Sequence, residues 1–241
     1  MKGIILSGGA STRLRPCTKI TSKQLLPVYN RPMIYYPINT LIKAGIKDIL
    51  IIISPERSGD YLNLLGSGRQ FGAKFSYEIQ DKPEGLAQAF IIGSNFIGKD
   101  NVAMILGDNI FEDNFSKDIK NFKKGAKIFA KEVPDPERFG VVEFGKNMKV
   151  ISIEEKPTKP KSNYCVTGLY VYDNKVIEMV KNVKPSARGE LEITDLNNLY
   201  LKAGELRAAM VPGAWIDTGT FDSLLEAQIL AKDKLQDKFV I

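Results

Sequence analysis

Gly8, Gly9, Ser11, Thr12 and Arg13 follow directly on the apolar run Gly3-Ile4-Ile5-Leu6, and the basic segment Ser22-Lys23-Gln24-Leu25-Leu26-Pro27 comes soon after. A strand that ends in a glycine-opened turn presents backbone N–H groups that can converge on an anion. Arg13 and Lys23 add side-chain charge, so the chemistry indicated is the binding of a phosphate chain on a nucleotide or a sugar. The spacing matches neither GxGxxG nor GxxxxGK[ST], which argues against a dinucleotide-binding dehydrogenase and a Walker-type ATPase.

Other candidates lie further along. Asp108 ends the apolar run Met104-Ile105-Leu106-Gly107, and Asp217 sits in Trp215-Ile216-Asp217-Thr218-Gly219. Carboxylates at strand ends can hold a magnesium ion together with phosphate oxygens, although an Asx turn or helix cap explains either one equally well. Gln80 and Gly85 bracket a turn-rich loop in which an amide could read a base edge and a glycine could let a ring approach. Glu155-Lys156 offers one group for hydroxyls and one for a phosphate. The stretch Arg188 to Asp195 carries several carboxylates and an arginine, as a substrate wall or as helix-cap chemistry. Taken singly, each has an ordinary structural explanation, and their joint occurrence asks for another.

The elements that must position these groups alternate in the first half. Lys2 to Leu6, Asp48 to Ile53, Lys74 to Glu78 and Val102 to Leu106 read as strands; Met33 to Ala44, Asp60 to Leu65 and Leu86 to Phe96 read as helices. Such alternation predicts an α/β fold whose ligands collect at the carboxyl ends of strands. The second half has shorter strands at Lys127 to Glu132, Val141 to Phe144, Val150 to Ile153 and Gly168 to Tyr172. Helices follow at Lys175 to Val180, Ile193 to Ala203 and Thr220 to Lys232. The expected organisation is a single domain, residues 1–241, with a nucleotide half to about residue 110 and a sugar-phosphate half from about 111.

Composition narrows the chemistry. The chain has 241 residues and no histidine, which excludes Ser-His-Asp and Cys-His catalysis. Cys17 and Cys165 form no CxxC pair, so neither a zinc site nor a disulfide framework is indicated. The formal charge of +6 is spread along the chain without a basic tract, so no nucleic-acid partner is expected. No apolar run approaches the ~20 residues that span a bilayer, so no membrane partner is expected and the cytoplasm is the expected location.

Read together, these segments closely resemble the glucose-1-phosphate thymidylyltransferases of the sugar nucleotidyltransferase family. The matching passages include Leu6 to Pro16, Ser22 to Val28, Arg31 to Pro37, Gly85 to Phe90 and Leu106 to Phe111. Further on come Arg138 to Val142, Glu154 to Pro157, Val166 to Tyr170, Arg188 to Asp195 and Trp215 to Gly219. The match runs in order over nearly the whole chain.

The resemblance implies a Rossmann-like, mixed and mostly parallel central sheet flanked by helices, with a smaller sugar-binding β/α portion. It implies transfer of a thymidylyl group from dTTP to glucose 1-phosphate, giving dTDP-glucose, a precursor of dTDP-rhamnose, and pyrophosphate, with Mg2+. Carried over by position, Arg13, Lys23 and Asp108 are catalytic, and Asp108 and Asp217 hold the metal. Gly8, Gly9, Ser11, Thr12, Arg13, Gln24, Gln80, Gly85, Asp108 and Asn109 bind the nucleotide. Gly140, Glu155, Lys156, Val166 and Tyr170 bind the sugar phosphate.

The resemblance also suggests a homotetramer. The same chemistry with UTP, or with another hexose 1-phosphate, is the alternative, and a non-catalytic sugar-nucleotide-binding regulatory subunit is the alternative of another class. Two departures from the family pattern stand out. Ser11 occupies a position where the family most often has glycine, and longer members extend past the last helix to build a second nucleotide site. Regulation by that route is expected to be absent or altered here.

Overall fold

The sequence Asp48-Ile49-Leu50-Ile51-Ile52-Ile53 contains no alternation of polar and apolar residues, and Ile49 through Ile53 are all at most 1% exposed. A strand covered on both faces needs such a run, as in the parallel sheets of α/β folds. Each of these side chains contributes roughly 1.5–3 kcal/mol by burial. They form the centre of the core.

The structure is a computed structural model that describes residues 1–9 and 11–239. In chain order the first elements are β1 (Lys2–Ser7), β2 (Pro27–Val28), β3 (Arg31–Pro32), α1 (Tyr35–Lys43), β4 (Asp48–Ile53), α2 (Ser58–Leu65) and β5 (Lys74–Ile79). Then come α3 (Gln88–Ile92), α4 (Ser94–Ile97), β6 (Val102–Leu106), β7 (Asn109–Phe111), α5 (Ser116–Lys120), β8 (Ala126–Glu132), β9 (Gly140–Phe144) and β10 (Val150–Glu155). The last are β11 (Tyr164–Tyr172), α6 (Val176–Met179), α7 (Ile193–Lys202), β12 (Leu206–Met210), β13 (Trp215–Asp217) and α8 (Phe221–Leu230). No helix of the described residues is long and apolar enough to cross a membrane.

The chain forms two compact units. The first contains Met1–Lys82, Met104–Asn121 and Gly213–Ile241; the second contains Pro83–Ala103 and Phe122–Pro212. In the first, β1 pairs in parallel with β4 and β4 with β5, with Ile5 opposite Ile51 and Ile51 opposite Tyr77. The short β13 pairs antiparallel with β7. Helix α8 starts at a capping box, in which the Thr220 hydroxyl accepts from the Ser223 N–H and the Ser223 side chain returns to the Thr220 N–H. In the second unit the strands run in the order β10-β9-β11-β8-β12. Only the β8–β12 pair there is parallel; β10–β9, β9–β11 and β11–β8 are antiparallel.

The expected α/β class with its mixed sheet and flanking helices holds, and three local differences have physical causes. The helix read over Leu86 to Phe96 is two short helices, α3 and α4, with Gly93 between them; glycine in a helix interior costs about 1 kcal/mol relative to alanine. Strand β11 begins at Tyr164, earlier than Gly168, and its register with β8 shifts between Val166 and Tyr170. The glycine inside it marks the irregularity rather than the start. The sequence reading also lacked β2, β3, β7, α5, β12 and β13. Leu206-Arg207-Ala208-Ala209-Met210 has weak strand propensity of its own, and becomes a strand by pairing along β8.

Candidate active site

In the first unit the turn after β1 bends sharply. Gly9 has φ +106, and Ser11 follows with φ 50 and ψ 34; Ala10 lies outside the described residues. The left-handed region is natural for glycine but costs an L-residue roughly 1–2 kcal/mol. The loop holds Ser11 there through its carbonyl, which accepts from the Thr18 hydroxyl at 2.7 Å. A short 3₁₀ turn, Thr12–Leu14, then buries Leu14 completely and sets Arg13 beside the loop. Ser11→Gly should therefore change stability by less than about 1 kcal/mol, because relief of strain is offset by the greater unfolded-state freedom of glycine. A thermal melt checks this, and a larger loss would mean that the Ser11 side chain itself holds the loop.

Gly8 has a different reason to be glycine. A Cβ there would lie 2.0 Å from Gln80 Oε1, so the missing side chain is what lets the buried Gln80 amide pack against the loop. Gly8, Gly9, Ser11 and Thr12 line a cavity of about 250 Å3 together with Arg13, Lys23 and Gly219. A Cβ on Gly219 would stand 2.8 Å from Arg13 Nη2 and 3.2 Å from Asp217 Oδ1. The guanidinium and that carboxylate thus lie over the same stretch of backbone.

The turn after β6 forms the other wall. Gly107 donates its N–H to the Leu6 carbonyl at 2.9 Å, and a Cβ there would meet Ser7 Oγ at 2.3 Å and Gln24 Cγ at 3.0 Å. Asp108 follows, ion-paired with Lys23 through Oδ2, while its Oδ1 accepts from Asn109 Nδ2 at 2.9 Å. Both partners of the ion pair are largely withdrawn from water, so salt screens them little. Burial pushes the Asp108 carboxyl upward; the Lys23 ammonium, its hydrogen bond and that from Asn109 outweigh burial and hold it below the ordinary carboxylate value. Asp108 is thus a carboxylate at neutral pH.

Strand β13 brings in the second carboxylate. Asp217 pairs in register with Asn109, and Thr218 donates to the Asp108 carbonyl from both its N–H, at 3.0 Å, and its hydroxyl, at 2.6 Å. Trp215 Nε1 donates to Asn109 Oδ1 at 2.6 Å. Among the described residues no cluster of three or more His, Cys, Asp or Glu side chains forms. Two carboxylates, one in the turn before β7 and one on its partner β13, close to a cavity lined by a glycine turn and two cationic side chains, nevertheless suit Mg2+, which keeps waters and takes phosphate oxygens as its remaining ligands.

The second unit carries the residues expected for the sugar phosphate. Glu155, at the end of β10, accepts from the Thr194 hydroxyl at 2.5 Å through Oε2, and its Oε1 faces Arg188 Nη2 at 3.4 Å. Gly140 leaves room for this arrangement, since a Cβ there would come 3.0 Å from Thr194 Oγ1. Lys156 has φ 44, and its Nζ stands 3.9 Å from Glu155 Oε1. Arg188 also bonds the buried Glu192 at 2.8 Å. Burial works against its charge, but the bond to Glu192 and the charges of Glu192, Glu190 and Glu155 hold the guanidinium above its ordinary pKa. Val166 and Tyr170 lie buried on β11, on either side of its register shift. Gly85, with φ +107, packs against the Leu191 backbone, which a Cβ would approach to 2.4 Å.

The structure therefore brings Gly8, Gly9, Ser11, Thr12, Arg13, Lys23, Gln24, Gln80, Asp108, Asn109 and Asp217 into one unit, and Gly85, Gly140, Glu155, Lys156, Val166 and Tyr170 into the other. Sequence reasoning gave no role to Thr218, Trp215 as an anchor for Asn109, or Thr194 as a partner of Glu155. Each acts through a pairing distant in sequence, for which no local signal exists.

Residues 2–234 match the family model described as nucleotidyl transferase. The chain is 56% identical over 233 residues to a glucose-1-phosphate thymidylyltransferase of Neisseria meningitidis, an alignment covering 94% of this chain and 81% of that protein. It is 54% identical over 232 residues to one from Mycobacterium tuberculosis H37Rv, with the same coverage. A solved structure of a Bacillus anthracis protein described as a glucose-1-phosphate thymidylyltransferase, in complex with a sucrose, is 52% identical. It superposes with a TM-score of 0.91 over 97% of this chain and 96% of that one. A UDP-glucose pyrophosphorylase complexed with UDP-glucose is 26% identical, with a TM-score of 0.83 over 97% and 98% of the two chains.

Proposed function

The chain belongs to the nucleotidyl transferase family, and on that premise we propose that it is a glucose-1-phosphate thymidylyltransferase, joining dTTP and glucose 1-phosphate to give dTDP-glucose and pyrophosphate. The observation that carries this reading is the cavity of about 250 Å3 lined by the glycine turn, Arg13 and Lys23, with Asp108 ion-paired to Lys23 and Asp217 on β13 beside Gly219. It is a site for a polyphosphate, equipped with cationic side chains and two carboxylates.

A phosphate oxygen of the sugar phosphate attacks the α-phosphorus of dTTP, a new P–O bond forms, and the bond to the β-phosphate breaks to release pyrophosphate. With a second pKa near 6, a phosphomonoester is mostly a dianion at neutral pH and needs no general base. A chain without histidine can therefore run this reaction by positioning and charge neutralisation. Arg13 and the loop N–H groups bind the triphosphate and take up the charge that develops on the leaving group. Lys23 neutralises phosphate charge and keeps Asp108 ionised. Held by Asp108 and Asp217, Mg2+ would neutralise phosphate oxygens and polarise the transferred group. Gln80, packed against the glycine turn, reads the thymine edge. Glu155, oriented by Thr194, takes sugar hydroxyls, and Lys156 takes the sugar phosphate. Gly140, Val166 and Tyr170 complete that side. The assembly proposed is a homo-oligomer, a tetramer by resemblance, working in the cytoplasm.

Pyrophosphate release with glucose 1-phosphate and either dTTP or UTP tests the reading. Turnover with dTTP well above that with UTP, abolished by EDTA and restored by Mg2+, is the expected result. A clear preference for UTP would move the protein toward the chemistry named for its UDP-glucose pyrophosphorylase neighbour. No turnover with either nucleotide would sink the enzymatic reading.

A further inference from the structure

Tyr61, in the middle of α2, is fully buried and takes no part in the chemistry described above. Its ring would serve the core as well without a hydroxyl. Yet the hydroxyl faces the segments that carry the cavity lining: it lies 3.1 Å from Gln24 Oε1, next in sequence to Lys23, and 3.4 Å from the Ser7 carbonyl, next to Gly8, with the Ser22 side chain as a further hydrogen-bonding neighbour. These three residues belong to the end of β1 and to the segment carrying Lys23. Burial raises the phenol pKa far above its ordinary value, so the group remains a neutral donor throughout the working range.

The Gln24 amide is itself buried and wedged beside Gly107, whose missing side chain makes room for its Cγ. An amide can present either end to a ligand, and which end it presents depends on its partners. With Oε1 taken by the phenol, Nε2 is left as a donor, and among the described residues it has no protein acceptor. We propose that Tyr61 is a positioning residue that locks the Gln24 amide with its donor end toward the nucleotide, tuning affinity for dTTP without touching it. This rests on the reading of Gln24 as a nucleotide-binding residue.

Tyr61→Phe keeps the ring and removes the lock. Titration calorimetry with dTTP and, separately, with glucose 1-phosphate should show dTTP bound roughly five- to tenfold more weakly, the loss expected when a buried acceptor is left unpaired. Glucose 1-phosphate affinity should be unchanged. Gln24→Ala should weaken dTTP by a similar factor, and adding Tyr61→Phe to it should cost little more, since the two act as one unit. A merely structural phenol would lower the melting temperature and leave this selective, non-multiplying pattern absent. Equal dTTP affinity in wild type and Tyr61→Phe, or losses that multiply in the double variant, would overturn the inference while leaving the nucleotide site standing. Wild-type protein that binds no dTTP at all would overturn the nucleotide reading, and this inference with it.

Discussion

Asp108→Asn should lower kcat by roughly 10²–10³-fold or more, the scale seen when one preorganised electrostatic group is removed from a transition state. The substitution keeps size and shape, so the Asn109 side chain still finds an acceptor where Oδ1 stood. What disappears is the charge. Lys23 then faces a neutral amide in a place largely closed to water, and the proposed metal loses one of its two protein carboxylates. The backbone carbonyl of residue 108, which accepts from Thr218, is untouched, so β7 and β13 should stay paired. Circular dichroism should report a folded protein, and pyrophosphate release at saturating Mg2+ should report the loss. Near-normal turnover would remove Asp108 from the catalytic machinery. Partial recovery at raised Mg2+ would place its effect on metal affinity.

Arg13→Ala is expected to be the next most damaging change, with kcat reduced by about 10²-fold or more and a smaller effect on the sugar-phosphate KM. Arg13 lies on a 3₁₀ turn whose anchor is the buried Leu14, so truncating its side chain should leave the loop in place. The guanidinium offers a planar fork of donors suited to phosphate oxygens, whereas an ammonium offers a point charge. Arg13→Lys should therefore recover only part of the rate. Full activity in the lysine variant would show that charge alone matters at this position, and full activity in the alanine variant would take Arg13 out of the reaction. The two variants together separate geometry from charge.

Much of the scaffold was legible because its signals are local. The run of isoleucines in β4 announces a strand buried on both faces, and Gly8-Gly9 after β1 announces a turn. The order of motifs along the chain carried the resemblance to a family of enzymes. The absence of histidine restricted the chemistry to phosphate, carboxylate and cationic groups. Composition and residue order suffice for such readings, because burial, turn geometry and ionisable chemistry are properties of short segments.

Ser11 lies between the two kinds of evidence. Its identity marked a departure from the usual glycine, and the fold carries the cost: a left-handed backbone at a residue with a side chain, held by the Thr18 hydroxyl. Glu155 is similar. Its adjacency to Lys156 was visible, but not that Thr194 and Arg188 each hold one of its oxygens.

The sequence by itself determined the fold class, the glycine turn after β1 and the set of groups from which a reaction could be assembled. Tertiary structure alone decided which carboxylate meets which cation. Asp108 pairs with Lys23, and Asp217 reaches Asn109 only because β13 returns to pair with β7 across more than a hundred intervening residues. The same is true of the Tyr61 hydroxyl, whose partners come from β1 and from the loop after it. The physical reason is common to all three. Hydrogen bonds and ion pairs act over a few ångströms in space, while the periodicities that make a sequence readable report only on neighbours along the chain.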